Sequence, residues 1–203
     1  MVVPVPEQTR SIAIRLATLD DISVLATLLV KSFHPPQSWL MWSYPFLRLG
    51  ISEDLRLRLR SGDASYRCLI AVSLADQAVV GTAEVTLKHW FYRPKTTAYI
   101  SNLAVSPNHR RSGVAKQLLQ RCQTVAEQWH CPRVSLHVLE NNVAAQSLYQ
   151  AAGFHCQGSE WSWQSWLWQK PRRLLWEKPL AVDGTYSPAH HEGEPLGINN
   201  EQT

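Results

Sequence analysis

The stretch Ala98-Tyr99-Ile100-Ser101-Asn102-Leu103-Ala104-Val105-Ser106-Pro107-Asn108-His109-Arg110-Arg111-Ser112-Gly113-Val114-Ala115 decides the fold. Its first half predicts a strand over 98–105, ended by Ser106-Pro107-Asn108. Beyond it, Val114, Leu118, Cys122, Val125 and Trp129 recur at spacings of four, four, three and four. That is the continuous apolar stripe of a helix over 113–130, stopped by Pro132. Between strand and helix stands Arg110-Arg111-Ser112-Gly113. A glycine lets backbone approach a ligand closely. The first N–H groups of a helix have no partner within it, point at one spot and, with the helix dipole, favour an anion there. The turn reads as a phosphate cradle without a Walker lysine. Taken alone the pattern also describes an ordinary surface turn, and only its flanks make it specific.

Outward from this unit the pattern continues. Residues 133–139 read as a strand and 142–152 as a short helix with Gly153 as its stop, and two more strands lie near 154–160 and 172–180. Upstream, 11–17 alternates apolar and polar residues as a strand does. Thr18 with Asp21 forms a variant capping box, opening an apolar helix to about Phe33 that Pro35-Pro36 ends. Residues 37–60 read as helical but interrupted, with Pro45 and Gly50 inside them. The runs 66–73 and 78–88 are β-rich around a hairpin turn at Ala75-Asp76-Gln77. The order β-α-α-β-β-β-α-β-α-β-β predicts an α/β fold with a mixed sheet and helices packed on it. The expected organisation is a tail over 1–9, one domain over 10–180 and a polar tail over 181–203 without periodicity, read as disordered.

Composition bounds the functions open to such a chain. Its 203 residues, 45% hydrophobic, suffice for one sizeable core. No run reaches the ~18 apolar residues of a membrane span. The first ten residues, with Pro4 and Pro6, lack the apolar region of a secretory signal and are too poor in Arg and Ser for a transit peptide. Cys68, Cys122, Cys131 and Cys156 form no CxxC pair, so a reduced, cytoplasmic protein is expected. The formal charge is +4, yet the 181–203 tail carries Asp183, Glu192, Glu194 and Glu201 and no Lys or Arg. The domain itself is therefore distinctly basic, which suits an anionic ligand such as a phosphorylated cofactor or a nucleic acid. Nine tryptophans add to the nucleic-acid reading, but no nucleic-acid motif supports it, and none is expected to bind. His130-Cys131 and His155-Cys156 match no common zinc spacing, so no metal is expected. The tryptophans of 161–168 fit a hairpin between the last strands, either packed onto it, in a dimer contact, or walling a substrate cleft.

Three blocks in order carry a family resemblance: Asn102-Leu103-Ala104-Val105; Arg110-x-x-Gly113-x-Ala115; and Asn142-x-x-Ala145-x-x-Leu148-Tyr149-x-x-x-Gly153-Phe154. Together they resemble the GNAT acetyltransferase superfamily, strongly over 98–154 and by element order over about 10–180. The resemblance implies a mostly antiparallel central sheet, splayed between the strands at 98–105 and 133–139, with helices on both faces. It implies acetyl-CoA as co-substrate. The backbone of Leu103, Ala104 and Val105 would pair with the pantetheine arm, and the Arg110, Arg111, Ser112, Gly113, Val114 and Ala115 turn would hold the pyrophosphate. Asn142 and Tyr149, two helical turns apart on one face, would lie beside the arm and reach the thioester sulfur. Without the resemblance, Asn142 reads as a helix N-cap and Tyr149 as a packed aromatic.

A base is harder to place. Glu84 sits on an alternating strand, where a lone Glu is expected on the solvent face. His137, mid-strand between Leu136 and Val138, points opposite to its apolar neighbours and suits proton removal near neutrality. It also reads as a hydrogen-bonded structural histidine. With Tyr99 on the neighbouring strand it resembles one branch of N-terminal protein acetyltransferases, which implies a Tyr and a His sharing deprotonation through water. An oxyanion would be met by a backbone N–H near Leu103, and Tyr149 would protonate the thiolate. The expected activity is acetyl transfer to a primary amine of a protein N-terminus or lysine, by direct attack in a ternary complex. The length and the closing 172–178 strand also resemble protein acetyltransferases of plastids and their bacterial relatives. A small-molecule amine and a non-catalytic CoA-binding module stay open. The chain would be a monomer or homodimer with no membrane partner.

Overall fold

A computed structural model describes residues 11–33, 44–89, 96–160 and 171–181. The expected tails over 1–9 and from 182 onward, the 37–43 part of the interrupted helix and the tryptophans of 161–168 lie outside these residues. The strands are β1 (Ile12–Leu16), β2 (Tyr66–Ser73), β3 (Val79–Lys88), β4 (Thr97–Val105), β5 (Arg133–Leu139), β6 (His155–Glu160) and β7 (Arg173–Pro179). The helices are α1 (Ile22–Phe33), α2 (Tyr44–Arg60), α3 (Val114–Gln128) and α4 (Val143–Ala151). The strands form one sheet in the order β1-β2-β3-β4-β5-β7-β6. Every pairing is antiparallel except β4 with β5, the parallel pair that α3 crosses over to connect.

Strand alternation divides the core in two. On β2, Tyr66, Cys68, Ile70 and Val72 pack with Ile22, Leu25, Leu29 and Leu55 of α1 and α2. Leu69 and Ala71 point the other way, to Val114, Leu118 and Cys122 of α3. Helices therefore cover both faces, because a strand buried on two sides needs an apolar partner on each. The α3 stripe is buried along its length, Leu118 and Cys122 completely. Burial of one such aliphatic side chain contributes about 1.5–3 kcal/mol. At Gly81 a Cβ would sit 3.1 Å from side-chain atoms of both Leu118 and Val114, so the missing side chain lets α3 lie close on β3.

One local expectation changes and another gains a partner. Residues 44–60 form one unbroken helix. Pro45 stands in its first turn, where a missing N–H costs nothing, and exposed Gly50 lowers helix propensity without ending the helix. At the start of α1, Asp21 accepts from the Thr18 amide at 2.8 Å, as a capping box requires, and also from Arg15 at 2.7 and 2.9 Å. The Arg15 guanidinium, foremost among these, holds its carboxyl down to about 2. That ion pair ties the end of β1 to the entry of α1.

Candidate active site

The parallel β4–β5 pair is joined at only three positions, Ala98 with Val134, Tyr99 with Ser135 and Ile100 with Leu136. Both strands continue past Ile100 and Leu136 without pairing to each other, so the sheet opens there. β4 is also irregular at this point. Its register against β3 shifts between Thr82 and Glu84, and Asn102 has φ +51°. This is a β-bulge with a residue in the left-handed region, which asparagine tolerates better than most side chains. One extra residue reverses the alternation. Ala98 and Ile100 face α3, whereas Ala104 faces α1 and α2 and Leu103 and Val105 turn toward α3.

A cleft of about 670 Å³ lies at this opening, within the ~300–1,000 Å³ usual for small-molecule sites. Leu103, Ala104 and Val105 line it from β4, Arg110, Arg111, Gly113, Val114 and Ala115 from the turn and the start of α3, Asn142 from the entry to α4 and Tyr149 from α4 itself. Ser112 does not line it; its hydroxyl donates to the His109 carbonyl at 2.5 Å and braces the turn. Ser32 and Phe33, at the end of α1, line the cleft as well, and nothing in their local sequence marks them.

The turn fits a pyrophosphate. Arg111 has φ +62° and Gly113 φ +82°, and a Cβ on Gly113 would meet no atom within 4 Å. Backbone is thus bare to the cleft where α3 begins. The amides of Val114, Ala115 and Lys116 have no carbonyl four residues earlier within the helix, and Gln117 is the first to close a turn, onto Gly113 at 3.1 Å. Asn142 is an N-cap, its side-chain oxygen accepting from the Ala145 amide at 3.2 Å, while also facing the cleft.

Tyr149 is 8% exposed and packs against Phe154 and Trp176, with ring centroids 6.0 and 6.5 Å away. Burial, and secondarily Tyr99, pushes its phenol up to about 12. It therefore stays protonated across the neutral range and can donate a hydrogen bond. Full proton transfer to a thiolate, ordinarily of pKa ~8.5, would be steeply uphill.

Tyr99 and His137 meet. Tyr99 is opposite Ser135, and His137, two residues further on, shares its face. The Tyr99 hydroxyl lies 3.0 Å from His137 Nδ1, and the Lys88 ammonium sits 3.6 Å from the centre of the Tyr99 ring. Glu84 departs from its expected place. It is 1% exposed, not on a solvent face. Its strand is covered on both sides, so alternation turns it under α2, where Arg58 and Asn102 bind it at 2.8 and 2.9 Å. Among the described residues no three His, Cys, Asp or Glu side chains gather into a metal site, and no helix is long and apolar enough to cross a membrane.

The sequence matches the Acetyltransferase (GNAT) family over residues 33–154, and the chain belongs to that family: it carries an N-acetyltransferase domain. Among its relatives is the GCN5-related N-acetyltransferase 7, chloroplastic, of Arabidopsis thaliana, 30% identical over 56% of this chain and 46% of that protein. The GCN5-related N-acetyltransferase 10, chloroplastic, of the same plant is 28% identical over 77% and 67%. An aminoglycoside N(6')-acetyltransferase type 1 of Acinetobacter baumannii is 27% identical over 45% and 64%. The chain thus spans about half the length of the first of these relatives. Among solved structures, PaiA N-acetyltransferase from Thermoplasma acidophilum with coenzyme A superposes with a TM-score of 0.65 at 19% identity, over 84% of this chain and 99% of that one. The NatC complex bound to Gag peptide and CoA does so at 0.59 and 18%, over 84% and 99%. At these identities the structures speak for the fold.

Proposed function

We propose that this protein transfers acetyl from acetyl-CoA to a primary amine of a protein or peptide, an N-terminal α-amine or a lysine. The observation that carries this reading is the Tyr99–His137 contact beside the opening of the sheet. An amine attacks only when neutral, and the ammonium proton needs an acceptor. Tyr99 can receive it through a water while passing its own proton to His137 Nδ1, so the phenol stays neutral throughout and the charge ends on imidazole. Leu103, Ala104 and Val105 would hold the pantetheine arm by backbone, and the Arg110–Ala115 turn the pyrophosphate. Tyr149 would stabilise the departing thiolate by a hydrogen bond.

A likeness to bacterial aminoglycoside acetyltransferases favours a second reading, a small-molecule amine in the same site. One experiment separates the two. The full chain is incubated with acetyl-CoA and a peptide library, in parallel with polyamines and aminoglycosides, and products are read by mass spectrometry. Acetylated peptide amines are expected. Modification of small amines alone would replace the first reading by the second, and no transfer to either would overturn both.

A further inference from the structure

Glu84 is a buried carboxylate in a core that would pack better without one. Replacing such a charge by an apolar residue of similar volume is often neutral or stabilising. Its burial raises its pKa, and the hydrogen bond from Asn102 and the charge of Arg58 offset that only in part. A carboxyl raised in the folded state favours folding below its unfolded pKa and loses that contribution as pH rises through the folded value. Burial thus works against the ionised form, so packing alone does not explain a carboxylate here.

Its partners do. Oε2 accepts from Arg58 of α2, which also holds Asp54 one turn earlier at 2.6 Å. Oε1 accepts from Nδ2 of Asn102. Asn102 is the left-handed residue of the β4 bulge, a conformation costing about 1–2 kcal/mol for an ordinary side chain. That bulge sets which way Leu103, Ala104 and Val105 face, and these three form the β4 wall of the cleft. We infer that Glu84, anchored by Arg58, is a positioning residue: through the Asn102 carboxamide it holds the β4 bulge, and so the unpaired edge of β4, in the shape that binds the acetyl-CoA arm. Both carboxylate oxygens are engaged by Arg58 and Asn102, and in this role Glu84 holds Asn102 and takes no proton. The inference rests on the acetyl-CoA reading above.

The test uses the full chain with Glu84→Gln, Glu84→Ala, Asn102→Gly and the double variant Glu84→Ala/Asn102→Gly. CoA affinity is measured by calorimetry, KM for acetyl-CoA and kcat across pH, and amide exchange over 101–105 without ligand. Gln keeps an oxygen for Asn102, so its affinity stays within about twofold of wild type, whereas Glu84→Ala weakens CoA roughly fivefold to tenfold. Gly accepts the left-handed φ freely but has no carboxamide, so Asn102→Gly matches Glu84→Ala, and the double variant adds nothing to either. Exchange over 101–105 rises in all but Glu84→Gln, and the pH limb of kcat stays in place. Wild-type affinity and exchange in Asn102→Gly, or additive losses in the double variant, overturn the inference. So does a flattened pH limb in Glu84→Gln, which would make Glu84 a base. Should Glu84→Ala fail to fold, Asn102→Gly and Glu84→Gln decide alone. A wild-type chain that binds no CoA would sink the acetyl-CoA reading, and the ligand-free exchange would still decide whether Glu84 holds the bulge.

Discussion

The cleft and the Tyr99–His137 pair beside the opening of the sheet are built by different means. The cleft runs through 103–115 and 142–149 and presents mainly backbone: the edge of β4, the bare turn at Gly113 and the start of α3. The pair does not line the cleft; it brings together side chains from strands far apart in sequence, Tyr99 and His137 meeting across β4 and β5. Backbone recognition needs a shape and tolerates many side chains, whereas proton transfer needs particular atoms within hydrogen-bond reach. Substitution should therefore damage the cleft through space and charge, and the pair through loss of a single functional group.

The sharpest break in that contrast comes from His137→Gln, which keeps polarity but cannot take a proton near neutrality. Turnover should fall roughly 10²–10⁴-fold, the usual worth of a positioned base, with CoA affinity unchanged by calorimetry. Wild-type activity should rise with pH, and the variant should lack that limb. Acceptors of different amine pKa separate the histidine from the substrate's own titration; a limb that tracks only the acceptor removes His137 from the mechanism.

Tyr149→Phe should cost less, because its raised pKa limits it to a hydrogen bond. Bonds to charged groups are worth about 1.5–3 kcal/mol, so kcat should drop roughly 10–150-fold. Acetyl-CoA binding should persist. Equal turnover in variant and wild type would reduce Tyr149 to a packed aromatic.

Gly113→Glu tests the backbone of the cleft. It puts a negative side chain into the open space at a left-handed position. CoA affinity should weaken at least tenfold, about 1.4 kcal/mol, with secondary structure intact by circular dichroism. Unchanged calorimetric affinity would mean that the turn is not the pyrophosphate cradle.

The smallest effect is expected at Asn142, which lines the cleft and caps α4. Asn142→Ala removes the cap bond to the Ala145 amide and should cost about 1 kcal/mol, lowering Tm by about 2–4 °C in a domain of this size. An unshifted melting temperature would assign the asparagine wholly to the ligand.

Much of the cleft is legible in the amino-acid sequence. A strand ended by Ser106-Pro107-Asn108, a glycine at the helix entry and a regular apolar stripe are local patterns, and local hydrogen bonding makes them what they are. Asn142 as a cap and His137 opposite its apolar neighbours follow from spacing in the same way. Local preference misleads where tertiary contact overrides it. Pro45 and Gly50 look like breaks, yet α2 runs through both because one stands in the first turn and packing against α1 supports the rest.

By itself the sequence determined the order of elements, the bare turn at Gly113 and the residues able to hold or move a proton, since each depends on neighbours within a few positions. The tertiary structure alone decided that Glu84 is buried, that Tyr99 touches His137 and that Ser32 and Phe33 reach the cleft. Alternation states that successive residues face opposite ways; it does not state what covers each face. And the bulge at Asn102 reverses that alternation in mid-strand, because one added residue shifts every later side chain to the other side of the sheet.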